Sequence, residues 1–92
     1  MGTFHYGPSR EGVDDADLEL LRAVVTTMLA CSTSFMASFD HGDTRRSFWI
    51  HPSAELRFDV ERERDVDPWH LDLMLAFAHT DEGLTMRSVA AD

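Results

Sequence analysis

The side chains able to carry chemistry in this chain are five histidines, one cysteine, and carboxylates that outnumber the cations 17 to 8. In His51-Pro52-Ser53 an imidazole stands two residues from a hydroxyl, the raw material of a nucleophilic serine. Such a serine is activated by geometry, not adjacency, and a carboxylate must orient the base. No Gly-x-Ser-x-Gly turn occurs and no carboxylate is placed to orient His51, so the pair reads as structural. Asp40, His41 and Asp43 could hold a metal at a turn, but no histidine pair at i, i+4 supports them. A solvated turn is the plainer reading. Cys31 could pair with a histidine as a thiolate. It falls where a helix ends, where the dipole raises a thiol pKa, so it reads as a small buried apolar side chain. Alone, it makes neither an internal disulfide nor a zinc site.

All eight basic residues are arginine, and lysine, asparagine and glutamine are absent. Without lysine there is no amine nucleophile, no Schiff base and no phosphate-loop lysine. No catalytic residue, cofactor or metal is therefore assigned. The net charge of -9 repels phosphate backbones, which disfavours direct contact with nucleic acid. No apolar run reaches the roughly 18 residues of a membrane helix. The N-terminus has neither a basic nor an apolar signal segment, and Tyr6 stands where myristoylation requires Ser or Thr. The expectation is a cytoplasmic protein with no membrane partner. Its 43% apolar and 27% charged residues suit a single globular domain over residues 1–92.

Short elements must position these residues. Thr3–Tyr6 reads as a strand closed by Gly7-Pro8, and 9–12 as a loop. Asp14 caps a first helix, with Asp17 at its third position and Val13 able to staple onto Leu18. Leu18, Leu21, Val25, Met28 and Leu29 form its buried stripe, which fades at Cys31-Ser32-Thr33. Ser34–Asp40, Ser47–His51 and Glu55–Glu61 alternate as a three-stranded meander, turning at Asp40-His41-Gly42-Asp43 and at Pro52-Ser53. Glu61–Asp65 alternates in charge and reads as a solvated connection. Asp67 caps a second helix with Pro68 at its first position. Trp69, Leu71, Leu73, Met74, Leu75, Phe77 and Ala78 make it so apolar that the sheet and first helix are expected to surround it. Gly83 stops it. Leu84–Val89 is a last strand and 90–92 a frayed tail.

The order β-α-β-β-β-α-β predicts an α+β fold of two layers, a mainly antiparallel sheet with both helices on one face. The inner face would hold Phe4, Tyr6, Phe35, Ala37, Phe39, Phe48, Ile50, Leu56, Phe58, Val60, Leu84 and Met86. The outer face would carry Thr3, His5, Met36, Ser38, Ser47, Trp49, His51, Arg57, Asp59, Thr85 and Arg87. Met36, Trp49, His51 and Arg57 are the candidate partner-binding residues there, since Trp, Met and Arg are enriched at interfaces. The expected partner is a protein, most simply a second copy in a symmetric homodimer.

Met1-Gly2 and Tyr6-Gly7, then Phe48-Trp49-Ile50-His51-Pro52-Ser53 followed by Leu56-Arg57-Phe58, with Trp69 and Gly83-Leu84 beyond, resemble a family of small actinobacterial proteins. Its members are of about this length and of unknown function, and many carry the label ATP-dependent DNA ligase. The resemblance covers nearly the whole chain, and Trp-Ile-His-Pro-Ser is its most specific part. The turn around Gly42 is shorter here, and Cys31-Ser32-Thr33 replace basic residues after the first helix. A ligase that transfers AMP carries it on the lysine of a Lys-x-Asp-Gly motif, and this chain has no lysine.

The resulting reading is a non-enzymatic protein-interaction domain that self-associates through the outer sheet face. One alternative is an acidic regulator or nucleic-acid mimic acting on a DNA-processing enzyme such as a ligase, suggested by the charge and the label. Another is a small metal-dependent hydrolase using His51 or His41.

Overall fold

Gly7 adopts φ +55, a left-handed conformation open to glycine, and Tyr6 pairs with Ser9 across the turn. Strands β1 (Gly2–Tyr6) and β2 (Ser9–Val13) therefore form a hairpin where residues 9–12 were expected to be a loop. Ser-Arg-Glu-Gly-Val holds a single β-branched residue, so its strand state comes from pairing with β1 rather than from propensity.

The computed structural model describes residues 1–89, and the tail expected over 90–92 lies outside them. Asp14 accepts a hydrogen bond from the Ala16 N–H at 3.1 Å and starts α1 (Asp15–Ala30). Beyond its end Ser32 sits at φ +56, and the Thr33 N–H reaches back to the Met28 carbonyl at 2.9 Å, a Schellman close. Cys31 is exposed, which corrects its expected burial. The buried side of α1 runs out at Met28 and Leu29, one turn before the thiol could reach the core.

Strands β3 (Phe35–His41) and β4 (Thr44–Ile50) form the expected hairpin around Gly42-Asp43. The chain then turns, with the Ala54 N–H on the His51 carbonyl at 3.0 Å, and Pro52 ends the pairing with β3. Strand β5 (Leu56–Asp59) crosses to β1 instead of adding to β4. The meander is thus divided between two three-stranded sheets. One is antiparallel, in the order β2-β1-β5; the other is β4-β3-β6, where β6 (Leu84–Arg87) runs parallel to β3. The α+β class holds, with β2 as the added strand.

The inner faces of the two sheets meet through aromatic rings. Phe4 stacks on Phe39 with centroids 5.3 Å apart, and Phe48 stands edge-on to both. Every side chain assigned to the inner face, from Phe4 to Met86, is buried in this core or packed against it. Leu18, Leu21, Val24 and Met28 of α1 complete it; each large side chain removed from water contributes about 1.5–3 kcal/mol. Ser88 and Val89 link the sheets, donating to the Asp40 and Gly12 carbonyls at 2.8 Å each.

Helix α1 lies against β1, while α2 (Pro68–Ala78) lies against β3 and β6, and the helices touch each other. Asp67 caps α2, accepting from the Trp69 N–H at 3.0 Å. Gly83 takes φ +73 and passes so close to the Met36 carbonyl that any Cβ would collide with it. That approach is what demands glycine, since α2 has already ended at Ala78.

Candidate functional site

Helix α2 carries apolar side chains on both faces. Met74 and Ala78 are buried, with Leu71 and Leu75 packed beside them. Trp69, Leu73 and Phe77 recur at i, i+4 and i+8 on the other side and are 72%, 42% and 53% exposed. Ala76 beside them is exposed as well. The expectation that the sheet and α1 surround this helix is corrected: they cover one side of it. No third helix exists among the described residues to close the other. Sequence reasoning found these residues but placed them in the core, because hydrophobicity says that a face must be covered and not by what.

An open groove of about 270 Å³ runs beside this stripe, lined by Asp17, His70, Leu73, Phe77 and four consecutive residues of β6, Leu84–Arg87. Alternate residues of a strand point to opposite sides, so four in a row line one cavity when it faces the strand edge. Burial pushes the Asp17 carboxyl up, Asp14 adds to this, and His70 opposes it. Arg87 takes no part in the ion pairs found among the described residues.

The four residues singled out as partner-binding fall on different parts of the fold. Met36 and Trp49 are directly paired across β3 and β4, and Trp49 is 52% exposed on the outer face. Arg57 lies in the other sheet, beside His5 and Asp59. The Asp59 Oδ2 is 2.8 Å from His5 Nε2 and 3.0 Å from the Arg57 Nη2. Its carboxyl sits below the usual range, held there first by His5 and then by Arg57. His51 follows β4, half-buried, in the turn between the sheets. The outer face expected as one surface is therefore the backs of two sheets whose fronts meet.

The groups weighed for chemistry are mostly engaged in holding the fold. Asp40 accepts two hydrogen bonds from Arg45, at 2.6 and 3.0 Å, and this arginine keeps its carboxyl low. His41 Nδ1 lies 3.5 Å from the Ser88 carbonyl. Among the described residues no group of three or more His, Cys, Asp or Glu is arranged to hold a metal ion. The Glu61–Asp65 run is exposed, and its first two N–H groups donate to Asp15 at 3.2 Å. Buried Asp15 also accepts from the Met1 ammonium at 3.0 Å. A second buried acid, Glu11, meets Arg46 at 3.0 Å between the sheets. It lines a cavity of about 130 Å³ with Phe39, His41, Thr44 and Arg46. Alternation along β2 could have flagged Glu11, had residues 9–12 been read as a strand.

Among the described residues, no helix is long and apolar enough to cross a membrane. No curated protein and no solved structure matches the chain. A comparison with protein families matches residues 1–89 to the domain of unknown function DUF7882. That span carries the Trp49–Ser53 segment and every element of the fold, and the chain belongs to this small uncharacterised family.

Proposed function

We propose that the chain is a non-enzymatic protein-interaction domain whose contact surface is the exposed face of α2. The observation that carries this is the stripe Trp69-Leu73-Phe77, turned to solvent while the opposite side of the same helix is buried. Three such side chains expose on the order of 300–400 Å² of apolar surface, comparable to the largest patch of an ordinary monomer, which is often functional. A helix apolar all round belongs in an interior, and here a partner protein completes that interior. The arrangement of titratable groups supports a role without catalysis. Perturbed groups that converge on one cleft would suggest an active site, whereas Asp15, Asp40 and Asp59 are each held low by separate partners within the fold, and Asp17 alone of the four perturbed carboxyls lines the groove beside α2. The Met36-Trp49 patch is a second, smaller contact of the same kind. We place the domain in the cytoplasm, where the exposed Cys31 thiol stays reduced.

A photo-crosslinking residue at position 73, compared with one at exposed position 22 on α1, tests this in living cells. A discrete protein adduct from 73 and none from 22 is the expected result. No adduct from 69, 73 or 77 would remove the interaction reading.

A further inference from the structure

Resting on that reading, we propose that the partner seated on α2 is a second copy of this chain, related by a two-fold axis passing beside Leu73. The stripe is symmetric about its own middle, with an aromatic at 69, leucine at 73 and an aromatic at 77. An antiparallel copy of the helix places Trp69 against Phe77 of the other and Leu73 against its equivalent. That is the self-complementarity of an isologous contact, in which one patch serves both sides.

At a net charge of -9 two copies repel over most of their surface. Trp69, Leu73, Ala76 and Phe77 carry no ionisable group, and exposed Asp72 stands at their edge. Arg87, on the wall of the adjoining groove, offers a cation to the acidic flank of the other copy. The two stripes together bury roughly 600–800 Å² of apolar surface, and their polar rims bring the contact near the ~1,200 Å² at which specific complexes begin. A contact of that size belongs with weak, transient associations, so the test spans a wide range of concentration.

Sedimentation equilibrium from about 1 to 300 μM should carry the mass from one 10.4 kDa chain to two. Leu73→Glu sets two like charges on the axis and should weaken association at least about 30-fold. Leu73 lies outside the core, so circular dichroism and the melting transition should show the variant folded. With Cys31→Ser removing the native thiol, Leu73→Cys should oxidise to a covalent dimer in high yield, and Trp49→Cys should not. A wild type that stays monomeric at 300 μM overturns self-association, and adducts from position 73 to another protein would then leave the interaction reading standing. A dimer unmoved by Leu73→Glu also overturns the inference, because it places the contact elsewhere. Absence of any adduct from α2 overturns the interaction reading itself.

Discussion

Tyr6 donates its hydroxyl to the Trp49 carbonyl at 2.7 Å, so a side chain of β1 grips the backbone of β4 across the junction of the two sheets. Phe48 packs against the same ring, 5.0 Å between centroids. Tyr6→Phe keeps the ring and deletes the bond, and should cost about 0.5–1.5 kcal/mol. For a domain of this size each kcal/mol lowers the melting temperature by about 4–8 °C, which calorimetry will read.

Gly7 and Gly83 both have positive φ, but their surroundings differ. A Cβ at Gly7 meets open space, whereas one at Gly83 runs into the Met36 carbonyl. Gly7→Ala should therefore cost only the left-handed penalty, about 1–2 kcal/mol. Gly83→Ala adds a backbone collision and should cost more than about 3 kcal/mol. Urea midpoints for the two variants test the difference, and equal losses would contradict the close approach.

Ser32, at φ +56, occupies the position after a helix where glycine is usual. Ser32→Gly should stabilise the fold by about 0.5–1 kcal/mol by removing the left-handed strain of a residue with a Cβ. A lowered midpoint would show that the serine compensates in some other way.

Glu11 is 2% exposed and reaches a cation through Arg46 at 3.0 Å. Arg46→Ala leaves a buried carboxylate without its counter-charge and should cost about 1–3 kcal/mol at pH 7. Glu11→Gln added to that variant should recover part of the loss, and a double-mutant cycle measures the coupling.

The acid response follows from three depressed carboxyls and one raised. Burial alone would lift Asp15, but the Met1 ammonium and the N–H groups of Glu61 and Arg62 outweigh it. Arg45 holds Asp40 down, and His5 with Arg57 holds Asp59 down. A carboxyl lowered by folding stabilises the native state above its unfolded pKa, near 3.9. That contribution disappears as pH falls through the lower, folded value. Asp17, raised by burial, works in the opposite sense and is relieved on protonation. The three outweigh the one, so the melting temperature should fall below about pH 4, and Asp15→Asn should flatten that fall. Melting unchanged down to about pH 2 would contradict the pairings.

Local chemistry made part of this legible in advance. Asp14 and Asp67 with Pro68 marked the starts of both helices, because capping depends on neighbours within one turn. Alternation placed correctly every residue it assigned to the inner face, since a strand side chain has two directions to choose from, and missed Glu11 and Val13 of the unexpected β2. It could not assign strands to sheets. Trp49 and Arg57 share an outward parity, but the turn at His51-Pro52 sends β5 to β1 rather than to β4. The strand at Ser9–Val13 escaped notice because a partner, and not its own composition, extends it. For α2 the pattern required cover, and the exposed face became visible only once the single other helix was seen to flank one side.

Strand β3 sits in the middle of its sheet, and one of its neighbours, β6, follows it in the chain by more than forty residues. During synthesis the β3–β4 hairpin waits with an open flank until Leu84–Arg87 emerge, because contacts this distant in sequence form late. No shorter N-terminal fragment holds a finished core, so truncation before residue 87 should yield a species cleared by proteolysis rather than a working half-domain. A single late strand makes maturation all-or-none.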